Sequence, residues 1–218
     1  MNMDPQSLES LIKSRRSIRR WKQTDVPEDL ILKAIELATW APNGGNRQNW
    51  NFLVITARGL ITEIAHIVQN RVDTIASWPE AHEHGATLER WRKSSSFFRN
   101  APVCIAVLMT KYESLADQIL KVRVRNDASV KEVIDGRQLT NSGLQSVAAA
   151  MAYLLLVLHA QGLGGIWLTG PLLAKKELEE VLRVPEERNL VALVSVGYPD
   201  ERPTQTRKPV SEVVEFRR

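Results

Sequence analysis

The sequence predicts a single α+β domain, rich in helix and short of strands, and three observations carry that reading. Apolar residues recur at helical spacing in several separate stretches. One continuous apolar run, Val103-Cys104-Ile105-Ala106-Val107-Leu108-Met109, follows Pro102 and has the length of a strand. A second, from Val147 to Leu158, lies inside a longer helical stretch. At 218 residues the chain can bury one sizeable core. No repeat, low-complexity linker or shift of composition divides it, so residues 1–218 are read as one domain.

The elements follow in order. Pro5 opens a short helix striped by Leu8, Leu11 and Ile12. A second helix starts near Pro27, carries Leu30, Ala34, Leu37, Ala38 and Ala41 on one face, and stops at Pro42 and an Asn-Gly-Gly turn. Phe52-Leu53-Val54-Ile55 reads as a strand, and Leu60 to about Ile75 as a helix with Ile64, Ile67, Val68 and Val72 inward. Val103–Met109 reads as a strand covered on both faces. The longest helix is expected from about Leu139 to Gln161, apolar around its full circumference, and ended by Gly162 and Gly164. Such a helix is central to a core or to a subunit interface. Ile166-Trp167-Leu168 is a strand, Lys175 to Arg183 a short amphipathic helix, and Leu190 to Val196 the last strand.

Composition narrows the function. Lys and Arg number 29 against 25 acidic residues, a mild excess of +4. Eight of the basic residues fall in three clusters: Arg15, Arg16, Arg19 and Arg20; Arg207 and Lys208; Arg217 and Arg218. Short clusters suit an anionic small ligand, and no basic stripe with interleaved aromatics argues for nucleic acid. The first residues lack the basic and apolar parts of a secretory signal. Val147–Leu158 is shorter than the roughly 20 residues of a membrane span. A lone cysteine, Cys104, excludes an internal disulfide and fits a cytoplasmic protein; inside its apolar run it reads as a small core residue. His82 and His84 sit in a loop-like context without a third ligand, so no metal site is assigned. None of the four histidines adjoins a serine or cysteine nucleophile in a hydrolytic pattern.

The segment richest in chemistry is Arg15-Arg16-Ser17-Ile18-Arg19. Forked guanidinium donors match phosphate oxygens, and Ser17 adds a hydroxyl, although an arginine-rich pentapeptide is also what a solvated face contains. Ala41-Pro42-Asn43-Gly44-Gly45-Asn46-Arg47-Gln48-Asn49-Trp50 is a polar turn closing a helix, rich in amides that tolerate positive φ. Gly162-Leu163-Gly164-Gly165-Ile166-Trp167-Leu168-Thr169-Gly170 is no Rossmann turn: Trp167 stands where a third glycine belongs, and the glycines leave a helix to enter a strand. A helix stop and a cofactor edge both fit that spacing.

Taken in order with Arg207-Lys208-Pro209, these segments resemble the FMN-dependent nitroreductase family, from about Leu8 to Phe216. Residues 70–100 and 112–136 carry no matching motif. The resemblance implies a three-layer sandwich, a mostly antiparallel central sheet flanked by helices, and a homodimer with FMN at the interface. It implies that Arg15 and Ser17, helped by Arg16, hold the FMN phosphate, with Arg207 and Lys208 reaching the same group. It places Arg19 near N1 and the C2 carbonyl, where charge develops on reduction. Backbone of Leu168, Thr169 and Gly170 is implied to pass the flavin N5. Pro42, Asn43, Gly44 and Asn46 are implied to lie against the ring, often from the partner subunit. NADH or NADPH is the implied co-substrate of a ping-pong reaction, with a nitroaromatic, quinone or other electron-poor small molecule as acceptor. No catalytic side chain is assigned, because the cofactor carries the chemistry.

Relatives within the fold that dehalogenate iodotyrosine or fragment reduced flavin define one alternative. For the first, Glu89, Lys93 and Tyr112 are candidate lid residues. A flavin-binding or sensory module without turnover is another. Residues 70–136 are read as the lid that sets acceptor choice.

Overall fold

A computed structural model describes residues 4–111 and 113–217. Four strands form one sheet in the order β1-β2-β4-β3, with β1 Trp50–Ile55, β2 Val103–Thr110, β3 Gly164–Leu168 and β4 Arg188–Gly197. Every neighbouring pair is antiparallel. The helices are α1 Pro5–Ser14, α2 Glu28–Ala38, α3 Arg58–Ala76, α4 Gly85–Ser94, α5 Leu115–Arg123, α6 Lys131–Thr140, α7 Ser142–Ala160 and α8 Lys175–Val181.

The layering follows from β2. Successive strand side chains point to opposite faces. Val103, Ile105 and Val107 therefore join the core beneath α2 and α7, while Cys104, Ala106 and Leu108 join the core beneath α3 and α8. A strand covered on both sides must be apolar throughout, and β2 is buried from Val103 to Leu108. β4 serves the same two cores through a bulge. The register slips between Val107 and Leu108, whose partners are Ala192 and Leu190. Val191 is the extra residue, and the slip lets Leu190 and Leu193 share one face while Ala192, Val194 and Val196 hold the other. The result is the expected three-layer sandwich.

Several boundaries differ from the sequence expectation, each for a local reason. α2 ends at Ala38, with Ala41 buried just beyond the helix. The long helix starts at Ser142, because Asn141 adopts φ 36° and ψ 71° and separates it from α6, to which Leu139 belongs. That Asn141 side chain caps α7 by accepting from the Leu144 amide at 3.0 Å. α7 is not buried all round. Val147, Ala150, Met151, Leu154 and Leu158 pack against α2 and the sheet, whereas Leu144, Ala152 and Tyr153 on the other side are exposed. The stretch ending at Ala160 is apolar and long enough by composition to cross a membrane; here its buried side is the heart of one core. Gly162, at φ 79°, ends α7 as expected. Gly164 does something else: it opens β3, and a Cβ there would sit 2.6 Å from Ile18 Cγ1.

Candidate cofactor site

The basic pentapeptide leaves the end of α1 and is stitched to the start of β3. Ile18 donates its amide to the Gly165 carbonyl at 3.3 Å, and the buried Trp21 indole donates to the Gly164 carbonyl at 2.9 Å. Bare glycine at 164 is what lets the Ile18 side chain lie against the strand. The chain then pairs with the segment after β4, Lys22 donating to the Tyr198 carbonyl at 2.9 Å and Asp200 to that of Arg20 at 3.0 Å. Leu168 lies about 10 Å along β3 from Gly165, at roughly 3.3 Å per residue, and Thr169 and Gly170 follow in the exposed turn. β3 is an edge strand, so its outer side beyond the Ile18 contact faces away from the sheet.

The arginines differ in what they do. Arg16 turns back and donates to the carbonyls of Lys13 and Arg15, closing the end of α1. Arg20 is neutralised by Glu201 at 3.3 Å, and the same carboxylate accepts from the Arg19 and Arg20 amides. Burial raises the Glu201 carboxyl, but those amides and the Arg20 guanidinium together hold it below its usual range. Arg15 is half-buried and its guanidinium makes no ion pair among the described residues. Burial first, then Arg207 and Arg16, hold Arg15 below its usual value, which places Arg207 within electrostatic reach of it. Arg207 thus acts electrostatically on Arg15 from the other end of the chain. Lys208, next to Arg207, is exposed, as is the Arg19 side chain.

His159, which sequence reasoning missed, belongs to this end as well. Its Nε2 lies 2.9 Å from Ser14 Oγ, and burial, then Arg15 and Arg16, lower its pKa. A polar residue at the last turn of an otherwise apolar helix was the available signal. Gln161 Oε1 and Trp167 Nε1 nearby in sequence are buried polar atoms without a partner among the described residues. A half-buried guanidinium crowded by other cations and lacking a counter-charge is costly unless an anion completes it. These residues fit a phosphate dianion.

The amide-rich loop sits elsewhere. Gly44 donates its amide to Ser146 Oγ at 3.3 Å, and the buried Asn49 donates through Nδ2 to the Gly143 carbonyl at 3.2 Å. Both contacts are with the first turns of α7. Asn43 is spent inside the loop: its Oδ1 accepts from the Gln48 amide at 2.9 Å, and its Nδ2 donates to the Ala41 carbonyl at 3.3 Å. Gly45, Asn46 and Gln48 all take positive φ, which folds the loop so that Pro42, Gly44 and Asn46 stay exposed. Ser146 and Asn49 hold the loop to α7, and neither is singled out by the sequence; a lone serine on the buried face of α7 was the clue.

Two of the three candidate lid residues are among the described ones. Glu89 and Lys93 lie on α4 beside a polar recess, and Glu89 is paired with Arg92 at 3.1 Å. Tyr112 lies outside the described residues. His82 and His84 occupy a 3₁₀ turn before α4, and His84 adjoins Trp78 and Trp91.

Fold and site together define a three-layer α+β sandwich with a cluster of cationic side chains at one end of its core helix. The chain belongs to the Nitroreductase family, whose profile matches residues 12–198. It is 32% identical to a BluB-like flavoprotein from Clostridium difficile 630, with TM-score 0.85 and all of both chains covered. An NADH dehydrogenase from Thermus thermophilus is 28% identical over 217 residues, covering 93% of this chain and 92% of that protein. The structure of an oxidized iodotyrosine deiodinase bound to FMN and 3-iodo-L-tyrosine is 25% identical with TM-score 0.70, covering 96% of this chain and 97% of that one.

Proposed function

We propose that the chain is an FMN-dependent oxidoreductase that works as a homodimer, passing a hydride from NADH or NADPH to a nitroaromatic, quinone or similarly electron-poor acceptor. The observation that carries this reading is the separation of the two halves of the site along α7. Ser14 and the arginines meet α7 at His159, whereas the loop meets it at Ser146, about 20 Å away at roughly 1.5 Å per residue. One ligand touches both ends only if a second copy supplies one of them. Two α7 helices packed antiparallel about a two-fold axis bring the loop of one copy to the arginine end of the other. The exposed apolar side of α7, with Leu144, Ala152 and Tyr153, supports that packing, as do the exposed Val210, Val213, Val214 and Phe216 of the carboxyl-terminal tail.

In this reading Arg15, Ser17 and Arg207 hold the FMN phosphate, with Arg16 and Lys208 adding positive charge. Arg19 supplies the cation that favours negative charge at the N1–C2=O edge of the ring. The backbone of Leu168, Thr169 and Gly170 lines the N5 side. Pro42, Asn43, Gly44 and Asn46 of the second copy cover the ring. Held by these residues, FMN would supply the hydride-transfer chemistry, so no side-chain acid or base would be required.

The test is a purified, FMN-reconstituted preparation examined by absorbance, by size exclusion with light scattering, and by anaerobic titration. A yellow dimer bleached by NADH or NADPH and reoxidised by a nitroaromatic or quinone is the expected result. A colourless protein, a monomer that retains flavin, or flavin that does not cycle overturns it.

A further inference from the structure

A cavity of about 660 Å³ lies between α5, α6 and the first turn of α7. It lies against the start of α7, on which the Pro42–Asn49 loop rests. Gly143, which accepts from Asn49, lines it, and so does Met109, the β2 partner of Trp50. If the loop covers the flavin ring of the other copy, as proposed above, this cavity opens beside the ring, and the inference rests on that reading.

The lining has two characters. Met109, Leu120, Val124 and Ile134 give it an apolar wall. Its charged groups cancel in pairs with one left over. Lys121 bonds Glu113 at 2.9 Å, and Arg137 is held by Asp117 and by Ser114 Oγ at 2.9 Å. Lys111, at the end of β2, makes no ion pair among the described residues, so the cavity keeps one unneutralised positive charge. The amino-terminal end of α7, through Asn141, Ser142 and Gly143, adds partial charge of the same sign. An apolar wall beside one free cation complements a flat apolar ring that carries one negative group. A neutral ring gains only the wall, and a cationic one is repelled.

We infer that this cavity is the acceptor site and that it selects aromatic acceptors bearing an anionic substituent, a carboxylate above all, with Lys111 reading the charge. Lys111 here is a specificity residue and takes no part in hydride transfer.

The test uses the FMN-loaded protein and redox-inert probes. Benzoate, benzamide and benzylammonium are titrated by calorimetry into the native chain, Lys111→Gln and Lys111→Arg. Lys111 is exposed, so neither variant threatens folding. Benzoate is expected to bind about two- to fivefold tighter than benzamide, the scale of one exposed charge contact, and benzylammonium weakest. Lys111→Gln should erase the preference and Lys111→Arg keep it. Raising salt from about 0.05 M to about 0.5 M should shrink it, because the contact is screened. Equal affinities in the native chain, or a preference that survives Lys111→Gln, overturns the inference. Absorbance measured first separates this from the functional reading. A yellow protein without charge selection refutes the pocket alone. A colourless one that still prefers benzoate through Lys111 supports charge selection and refutes the flavin reading.

Discussion

Arg15 is the residue on which phosphate binding most depends in the proposed site. Its guanidinium is half-buried, lacks an ion pair among the described residues, and is disfavoured in its charged form by burial and by Arg207 and Arg16. In the free protein this charge is therefore a burden, and only an anion makes it useful. Arg15→Met keeps the apolar stem and removes the charge. A hydrogen bond to a charged group contributes about 1.5–3 kcal/mol net, and the partial exposure of Arg15 argues for the lower half of that range. At about 1.4 kcal/mol per tenfold, FMN affinity should fall about ten- to fortyfold. The free protein, relieved of like-charge crowding, should be no less stable, and up to about 0.5 kcal/mol more so. Flavin fluorescence titration reads the first quantity, and urea unfolding of the flavin-free chain reads the second. Arg15→Lys should fall between, since it keeps the charge and loses the fork. A variant that unfolds more readily without flavin yet binds FMN undiminished would show that Arg15 is structural and that the phosphate sits elsewhere.

Other expectations follow from single contacts. Gly164→Ala forces a methyl to within 2.6 Å of Ile18 Cγ1. Overpacking of this kind costs about 1–3 kcal/mol, so a thermal melt should fall by several degrees, and an unchanged midpoint would contradict the stitched geometry. Asn49→Leu removes the donor to the Gly143 carbonyl. It should cost about 0.5–1.5 kcal/mol in urea unfolding, the net contribution of one hydrogen bond, because the Gly143 carbonyl keeps its helical partner. His159 has its pKa lowered by burial and by Arg15 and Arg16, so the unfolded chain takes up its proton first as pH falls. Stability of the flavin-free protein should accordingly decline through about pH 6.5 and below, and His159→Gln should flatten that part of the profile. The Cys104 thiol, pushed up to about 12 by burial, should resist iodoacetamide at pH 8 in the native state and react only as the protein unfolds.

What the sequence made legible was what periodicity encodes. The apolar stripe of α3, the two-sided run of β2 and the glycine stop after α7 are all local patterns, and each falls where the residues point. The break at Asn141 was invisible because it rests on one asparagine taking a left-handed conformation, with no proline beside it. α4, α5 and α6 escaped notice because none buries a residue fully, so their stripes are faint. The phosphate-binding half of the candidate site is read from one contiguous pentapeptide, but its partners are not. Arg207 reaches Arg15 only because the chain returns past Trp21 and Glu201, and Ser146 and His159 mark the two ends of α7 only once that helix is in place. Contacts made across such sequence distances leave no local pattern to read.

In the proposed dimer each cofactor site is shared, arginines from one copy and loop from the other. Co-expression of two tagged variants tests it most directly: Arg15→Met in one chain, and Asn43→Ala with Asn46→Ala in the other. At an FMN concentration a few times the wild-type Kd, each variant alone should hold little flavin. In mixed dimers a shared site collects both lesions on one side and none on the other, so the mixture should regain about one quarter of the wild-type flavin if pairing is random. A mixture that holds no more flavin than its two parents would mean that each site is built within a single chain.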